Sequence, residues 1–268
     1  MSMVWLNGAA LPLAEARIDP ADRGFTLGDG LFETIRAAGA TPLHAARHFA
    51  RLRDGAAVLR IPVPYSDDEL HAALCGVLRD NGLNEAALRL TLTRGPAARG
   101  VLPPAQPSPT MLISAGPLPE ALFAARLIIA QRSRRNEASR LSRIKSLNYL
   151  DGIMARQEAF DAGADDALLL NTRGDLAEAT AANIFLFLDD TWTTPPVEDG
   201  ALPGIARALV LEAGLAREAT ISRADWQRAE AGFLTNSLGR RPIARIGRLV
   251  LDAGHPALTR AKEESASF

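Results

Sequence analysis

Two periodic patterns of apolar residues divide the first 115 residues into helices and strands. Apolar positions recur every three or four residues from about His44 to Leu59 and again after Ser66, which predicts two amphipathic helices. The second helix begins with S-D-D-E, where Ser66 and Glu69 have the spacing of a capping box. Alternating apolar residues predict strands in M-V-W-L-N and at 31–37, 87–93 and 110–114.

The second half of the chain shows the same two patterns. Helices are predicted over about 147–162, closed by Gly163 as a C-cap, and from the segment L-P-G-I-A-R at 202–207. A third helix over 223–230 follows Ser222 as its N-cap. Strands are predicted at 125–131, 166–171, 182–188, 218–221, 232–236 and 242–246.

Proline and glycine concentrate between residues 95 and 119 and suggest where one domain ends. We expect a long surface loop over 95–109, of a length that is often functional, and a linker at 116–121. Strands and helices occur on both sides of this region, so the predicted fold class is α/β (α+β) with two domains. A small N-terminal α/β domain would cover 1–115, and a large C-terminal domain would cover 122–268.

Composition then narrows the functional classes. The chain has 268 residues, 47% of them hydrophobic and 23% charged, as in an ordinary globular protein. Its net charge of −1 gives no electrostatic reason to expect nucleic acid or a membrane surface as a partner. A single cysteine, Cys75, excludes an intrachain disulfide, and we expect no metal site. No apolar run approaches the roughly 20 residues that span a bilayer, and no signal-peptide pattern opens the chain, so a cytoplasmic location is expected.

Lysine is nearly absent from this chain. The 30 Lys and Arg residues include only two lysines, Lys262 in a polar tail and Lys145 in the middle of the chain. Arginine cannot lose its proton in a protein, whereas a neutral lysine amine forms a Schiff base with an aldehyde or ketone. A biased composition explains the scarcity of lysine equally well, so composition alone leaves a chemical role for Lys145 open.

A second candidate is Glu178 in L-A-E-A-T-A-A-N-I-F, where small and apolar residues predict a buried strand. A buried carboxylate needs a cationic or protonated partner, or its pKa rises. Either an arginine or a protonated pyridine nitrogen would serve as that partner.

Several segments could bind a phosphate or a carboxylate. The helix start at 202–207 exposes the amides of Gly204, Ile205 and Ala206, where the helix dipole favours an anion. T-N-S-L at 235–238 offers hydroxyl and amide groups, and Arg51 on the first predicted helix could complete a phosphate site. T-R-G-P-A-A-R-G places two arginines on the long loop, where they could bind a substrate carboxylate or simply be solvated: Arg94 and Arg99.

Seven motifs occur in an order that resembles one enzyme family over nearly the whole chain. They are D-R-G-F-T-L-G-D-G-L-F-E-T, H-F-A-R-L, T-R-G-P-A-A-R-G, I-K-S-L-N-Y-L, E-A-T-A-A-N-I-F, L-P-G-I-A-R and T-N-S-L. The sequence resembles the fold-type IV pyridoxal-phosphate enzymes, which include branched-chain and D-amino-acid aminotransferases, (R)-selective amine transaminases and aminodeoxychorismate lyases. The resemblance implies a D-amino-acid aminotransferase-like fold with pyridoxal 5′-phosphate between the domains, a small amino substrate and a homodimer.

The resemblance also implies a role for each candidate residue. Lys145 would bond to the cofactor aldehyde and then move protons on the substrate, and Glu178 would keep the pyridine nitrogen protonated. Leu202 would pack against the ring. The remaining cofactor contacts would come from Arg51, Asn183, Gly204, Ile205, Ala206, Asn236 and Ser237, and the substrate contacts from Phe32, Arg99 and Thr235. Ala206 replaces a threonine that is usual in the family, so only its backbone amide would serve.

Details of the motifs favour one member of the family. The tyrosine and histidine with which D-amino-acid enzymes hold the substrate carboxylate are Phe32 and Val101 here, which argues against that activity. T-N-S, A-A-N-I-F and R-G-x-x-x-R-G are more similar to aminodeoxychorismate lyase, which forms pyruvate and 4-aminobenzoate for folate synthesis. The alternative is a transaminase of the branched-chain L-amino acid, D-amino acid or (R)-amine type. More remote alternatives are a Schiff-base aldolase and a non-catalytic binding protein.

Overall fold

The computed structural model describes residues 2–120 and 123–263, without the side chains of residues 260, 262 and 263, so the side chain of Lys262 lies outside the described residues. By the contacts of its residues, the chain forms two compact units. Unit 1 comprises Met1–Glu120 with Ile144–Asn148, and unit 2 comprises Ala121–Arg143 with Tyr149–Phe268. The expected boundary at 116–121 assigned 144–148 to the C-terminal domain. This segment instead belongs to unit 1, because it pairs with a strand of that unit.

The described strands of unit 1 are β1 (Met3–Leu6), β2 (Ala9–Pro12), β3 (Gly30–Ala38), β4 (Thr41–Pro42), β5 (Ala86–Thr93) and β6 (Thr110–Gly116). They form one antiparallel sheet in the order β2-β1-β6-β5-β3-β4. β3 pairs with β5 along nearly its whole length, which places Phe32 opposite Thr91 and Thr34 opposite Arg89.

Two amphipathic helices cover one face of this sheet. α2 (Ala45–Leu59) and α3 (Asp67–Asp80) lie where the apolar periodicity predicts them, and Ser66 and Glu69 form the expected capping box. A shorter helix, α1 (Arg23–Leu27), forms where the sequence predicted none, because the Asp22 side chain accepts from the Gly24 amide and caps its N-terminus. The buried core between sheet and helices includes Leu31, Ile35, Phe49, Leu52, Leu70, Leu74, Leu88 and Leu90.

The described strands of unit 2 are β7 (Ala125–Ile129), β8 (Asp166–Leu170), β9 (Leu176–Ala179), β10 (Asn183–Leu188), β11 (Thr191–Thr194), β12 (Ala216–Glu218), β13 (Ala231–Asn236), β14 (Gly239–Ile246) and β15 (Leu249–Val250). They form a mixed sheet in the order β12-β11-β10-β13-β14-β7-β8-β9, and β15 pairs with β14. The pairs β11–β12, β14–β7 and β7–β8 are parallel, and the other pairs are antiparallel.

Most differences from the sequence prediction concern the ends of elements. The helix predicted over 147–162 is α4 (Leu150–Asp161), because the residues before it are held in extended pairing with β3. Its C-cap is Ala162, and Gly163 follows in the left-handed conformation with φ +66°. The strand predicted at 218–221 is β12, which pairs with β11 through residues 216–218.

The remaining described helices of unit 2 are α5 (Ile205–Glu212), α6 (Arg223–Trp226) and α7 (Pro256–Glu263). α6 begins after Ser222 as predicted but ends well before residue 230, and Ala229 reaches the core from the turn that follows. The mixed α/β fold that the sequence predicts is confirmed. In the described ranges, no helix combines the length and apolar composition that crossing a membrane requires.

Candidate active site

Lys145 is held beside β3 by backbone pairing within unit 1. Ser146 forms a β-bridge with Leu31, and the Phe32 amide donates to the Lys145 carbonyl over 3.0 Å. The amine of Lys145 lies 4.4 Å from the centroid of the Phe32 ring. The β3 pairing therefore directs a half-buried lysine amine to the face of a buried aromatic side chain.

Arg89 is a second cation on the same ring. Its Cζ atom lies 3.9 Å from the centroid of the Phe32 ring, within the range of a cation–π interaction. The sequence patterns did not single out Arg89. The signal was present, because Leu88, Leu90 and Leu92 alternate with it on β5 and leave Arg89 on the other face of the strand. Only the register of β5 against β3 brings that face to Phe32.

Arg51 lies on α2 and forms a bidentate ion pair with Glu33 of β3. Its Nε and Nη2 atoms donate to the two carboxylate oxygens over 2.9 and 2.5 Å, and His48 Nδ1 lies 2.6 Å from Glu33 Oε2. Glu33 and His48 are each 1% exposed. Burial alone would raise the pKa of Glu33, but the hydrogen bonds from His48 and Arg51 lower it, while burial lowers the pKa of His48. An ionised Glu33 only accepts hydrogen bonds, so His48 donates to it from Nδ1, and the lowered pKa of His48 favours the neutral ring.

The two arginines of the long loop have different environments. Arg94 is buried and donates to both carboxylate oxygens of Asp29 over 2.7 and 3.0 Å, so it supports the fold. Arg99 is exposed on the loop. The next two residues of the loop are anchored because Arg23 donates to the carbonyls of Gly100 and Val101. Arg99 is therefore the arginine of this pair that faces solvent.

Glu178 lies on β9 in unit 2 and is 8% exposed. Arg135 forms an ion pair with it, with 3.0 Å between Nε and Oε1, and the Leu202 amide donates to Oε2 over 2.9 Å. The cationic partner that the sequence required is thus Arg135, in a polar segment with no pattern that pointed to it. These contacts fix the orientation of the buried carboxylate.

The turn before α5 is held by Asn183 at the start of β10. Asn183 Nδ2 donates to the Leu202 carbonyl over 2.9 Å. Gly204 is the N-cap of α5, and a Cβ atom at this position would lie 2.0 Å from Asn183 Oδ1. Ile205 and Ala206 follow as the first residues of α5, and a glycine N-cap has no side chain with which to bond their amides. This helix start has the features of an anion site.

The turn between β13 and β14 lies at the same end of the sheet. Thr235 is buried opposite Asn183, and Asn236 pairs with Gly239 to close a two-residue hairpin that contains Ser237. Asn236 accepts from the Leu238 amide over 2.9 Å and donates to the Ala181 carbonyl over 3.3 Å. Unit 2 thus brings the start of β10, the turn before α5 and the β13–β14 turn together.

The chemical groups in each unit match the requirements of pyridoxal 5′-phosphate. In unit 1, Lys145 provides an amine that bonds to an aldehyde. In unit 2, Glu178 provides a buried carboxylate suited to a protonated pyridine nitrogen, and the tightly packed glycine turn at Gly204 presents helix amides suited to a phosphate. The donor set therefore fits this cofactor.

Comparisons with known proteins agree with this assignment. The family model for amino-transferase class IV matches residues 30–246. The "Putative branched-chain-amino-acid aminotransferase" of Methanocaldococcus jannaschii is 36% identical over 80% of this chain and 75% of its own. The solved structure of a "Putative 4-amino-4-deoxychorismate lyase" from Legionella pneumophila is 33% identical, with a TM-score of 0.86 over 93% of this chain and 94% of its own.

A third relative, a branched-chain amino acid aminotransferase from T.th., was solved with pyridoxamine 5′-phosphate, a form of the cofactor. It is 26% identical and superposes with a TM-score of 0.90 over 100% of this chain and 95% of its own. The protein is an enzyme whose cofactor is pyridoxal 5′-phosphate. The family match covers most of the chain, from the start of β3 to the end of β14, and the chain therefore belongs to the class IV aminotransferase family.

Proposed function

We propose that this enzyme is a 4-amino-4-deoxychorismate lyase, which forms pyruvate and 4-aminobenzoate for folate synthesis. The observation that carries the proposal is the arrangement of Lys145, Phe32 and Arg89. Arg89 and the Lys145 amine both lie against the Phe32 ring, which places a guanidinium close to the reactive amine. This arrangement suits a cyclic substrate with a carboxylate, because the exposed Arg89 guanidinium pairs with the acid while the Phe32 ring keeps the neighbourhood of the amine apolar.

Two further features support the lyase. Phe32 has no hydroxyl group, so it cannot donate the hydrogen bond with which a tyrosine would hold the carboxylate of a D-amino acid. The exposed Arg99 provides a second cation for a substrate with two carboxylates.

Each residue would contribute a separate part of the chemistry. Bound pyridoxal phosphate supplies an electron-withdrawing ring that stabilises negative charge on the carbon next to the substrate amine. Lys145 would remove the proton from that carbon. Glu178, oriented by Arg135 and the Leu202 amide, would hold a proton on the pyridine nitrogen, and Leu202 would contact the ring.

Phosphate binding would fall to groups from separate segments of the chain. Arg51 would contribute charge, the amides of Ile205 and Ala206 would contribute the helix start, and Ser237 would contribute a hydroxyl group. Gly204, Asn183 and Asn236 would shape the backbone around them, and Thr235 would lie on the substrate side.

A transaminase is the second candidate, because the relatives from M. jannaschii and T.th. are both named branched-chain aminotransferases. Its amino donor would be a branched-chain L-amino acid, a D-amino acid or an (R)-amine. In this reaction Lys145 would move the proton from the substrate Cα to the C4′ atom of the cofactor. Arg89 would bind a carboxylate of the keto acid acceptor.

One pair of assays separates the two reactions. In the first assay, aminodeoxychorismate is supplied without an amino acceptor, and pyruvate is followed with lactate dehydrogenase. Formation of pyruvate supports the lyase. Transfer of an amino group from leucine, D-alanine or an (R)-amine to 2-oxoglutarate, without pyruvate from aminodeoxychorismate, would exclude it. A Schiff-base aldolase would instead be colourless when purified with excess cofactor.

We also propose a homodimer and a cytoplasmic location. Three exposed apolar side chains lie on one face of α4 at helical spacing, which suits contact with a second copy: Leu150, Ile153 and Met154. Light scattering on the protein eluted from a size-exclusion column gives the mass of the particle in solution. A monomer at micromolar concentration would contradict the dimer.

A further inference from the structure

Glu33, His48 and Arg51 form an almost completely buried polar cluster between β3 and α2. The side chains of Glu33 and His48 are 1% and 2% exposed, and that of Arg51 is 11% exposed. His48 and Arg51 lie three residues apart on α2, so both reach the same carboxylate. The rest of this face of α2 is apolar and includes Phe49, Leu52 and Ala56.

Stability alone does not explain such a cluster. Removing two charges from water costs more than a buried ion pair commonly returns, and apolar residues of similar volume often serve a core as well or better. The neighbouring residues of β3, Leu31 and Ile35, show that apolar side chains fit this core. The polar cluster therefore points to a task for the guanidinium.

The bidentate pair with Glu33 fixes the orientation of the Arg51 guanidinium. A guanidinium carries five N–H groups, and the pair with Glu33 engages Nε and Nη2. The hydrogen bond from His48 fixes the carboxylate, and the carboxylate in turn fixes the guanidinium plane.

We infer that Glu33 and His48 are positioning residues for phosphate recognition by Arg51. They hold its guanidinium in one orientation, so the enzyme distinguishes pyridoxal 5′-phosphate from unphosphorylated pyridoxal. This inference rests on the proposed role of Arg51 as a phosphate ligand. Neither Glu33 nor His48 contacts the cofactor in this arrangement, and both act through Arg51.

The test compares two ligands that differ only in the phosphate. Dissociation constants for pyridoxal and for pyridoxal 5′-phosphate are measured on enzyme stripped of its cofactor. The ratio of the pyridoxal constant to the pyridoxal 5′-phosphate constant reports phosphate recognition alone. The bond to Lys145 is common to both ligands and cancels in the ratio. Inorganic phosphate serves as a competing probe. A purely structural defect would lower the melting temperature without changing the ratio.

We expect Glu33→Gln and His48→Leu to reduce the ratio by about tenfold or more, the value of one hydrogen bond to a charged group. His48→Asn, which keeps a donor near the Nδ1 position, should restore much of the loss. Asp22→Asn is the matched control. Asp22 is a fully buried carboxylate of the same unit that accepts from Thr93 and Thr110, and its loss should reduce stability but not the ratio.

Arg51→Gln separates the role of Arg51 as a phosphate ligand from the positioning role of Glu33 and His48. An unchanged ratio in Arg51→Gln would mean that Arg51 is not a phosphate ligand, and the proposed phosphate site would be wrong. A reduced ratio in Arg51→Gln with unchanged ratios in Glu33→Gln and His48→Leu would overturn the positioning role alone. If Glu33→Gln fails to fold, the pair His48→Leu and His48→Asn decides the same question.

Discussion

The amine of Lys145 lies 4.4 Å from the centroid of the Phe32 ring, and the backbones of the two residues are joined by a hydrogen bond of 3.0 Å. Pairing of 144–148 with β3 therefore sets the position of the amine.

Lys145→Arg should abolish covalent binding of the cofactor, because a guanidinium keeps its proton and cannot bond to an aldehyde carbon. The purified variant should lack the visible absorption band that borohydride bleaches in the wild type. Lys262→Arg is the matched control, since it changes the other lysine of the chain, and its band should be unchanged. A yellow Lys145→Arg protein with a bleachable band would contradict the role of Lys145.

Arg89→Leu should raise KM for the carboxylate substrate by about tenfold to a hundredfold, because one hydrogen bond to a charged group is lost. Arg89→Lys should recover part of the loss, since it keeps the charge but not the planar fork. Arg79→Leu, on an exposed arginine of α3, should leave KM unchanged. Steady-state kinetics measures all three, and an unaltered KM in Arg89→Leu would remove Arg89 from the substrate site.

Glu178→Gln should reduce kcat by about two orders of magnitude or more, in the range found when one preorganised electrostatic contact is removed. The amide keeps the shape of the side chain but cannot stabilise a proton on the pyridine nitrogen, and it leaves Arg135 without its carboxylate. Asp166→Asn, another buried acid of unit 2, is the control. Equal losses of kcat in both variants would indicate a folding defect.

Gly204→Ala should weaken phosphate binding, because the new Cβ would lie 2.0 Å from Asn183 Oδ1 and force the turn to move. Asn183→Ala removes that clash but also removes the hydrogen bond to the Leu202 carbonyl. The double variant should therefore lose less cofactor binding free energy than the sum of the losses in the two single variants. A double-mutant cycle measures this difference. Additive losses would show that these two residues do not interact.

The free energy of unfolding should fall as the pH drops below about 6.5. Burial lowers the pKa of His48 in the folded state below its ordinary value of 6.5, so the unfolded chain takes up a proton first. Stability from neutral His48 is complete above that pH and is lost as pH decreases, by at most about 1.4 kcal/mol per pH unit. The facing charged groups, Glu33 and Arg51, and nearby His44 act on the same histidine.

Denaturant titrations at several pH values between 7.5 and 5.5 give the slope of the free energy of unfolding against pH. This slope should be smaller in His48→Leu than in the wild type. His71→Asn, which changes an exposed histidine of α3, should keep the wild-type slope. Identical slopes in the wild type and His48→Leu would show that His48 does not titrate differently in the folded state.

Local signals in the sequence determined a large part of the structure. Helices α2 and α3 follow from their apolar periodicity and from the Ser66 capping box, since such signals lie within a few residues of each other. Motif order was sufficient to identify the family. The short elements α1, β2, β4, β9, β11 and β15 were missed, because so few residues carry no clear period, and α7 was missed as well.

Tertiary structure alone decided which side chains meet. Arg89 reaches Phe32 through the register of β5 on β3, and Arg135 reaches Glu178 across many residues of chain. No pattern in the sequence separates Arg94, buried on Asp29, from the exposed Arg99 in the same motif. The scarcity of lysine and the seven motifs could be read from the chain because they are local in sequence. Pairings between distant residues depend on strand register and packing, which only the folded chain establishes.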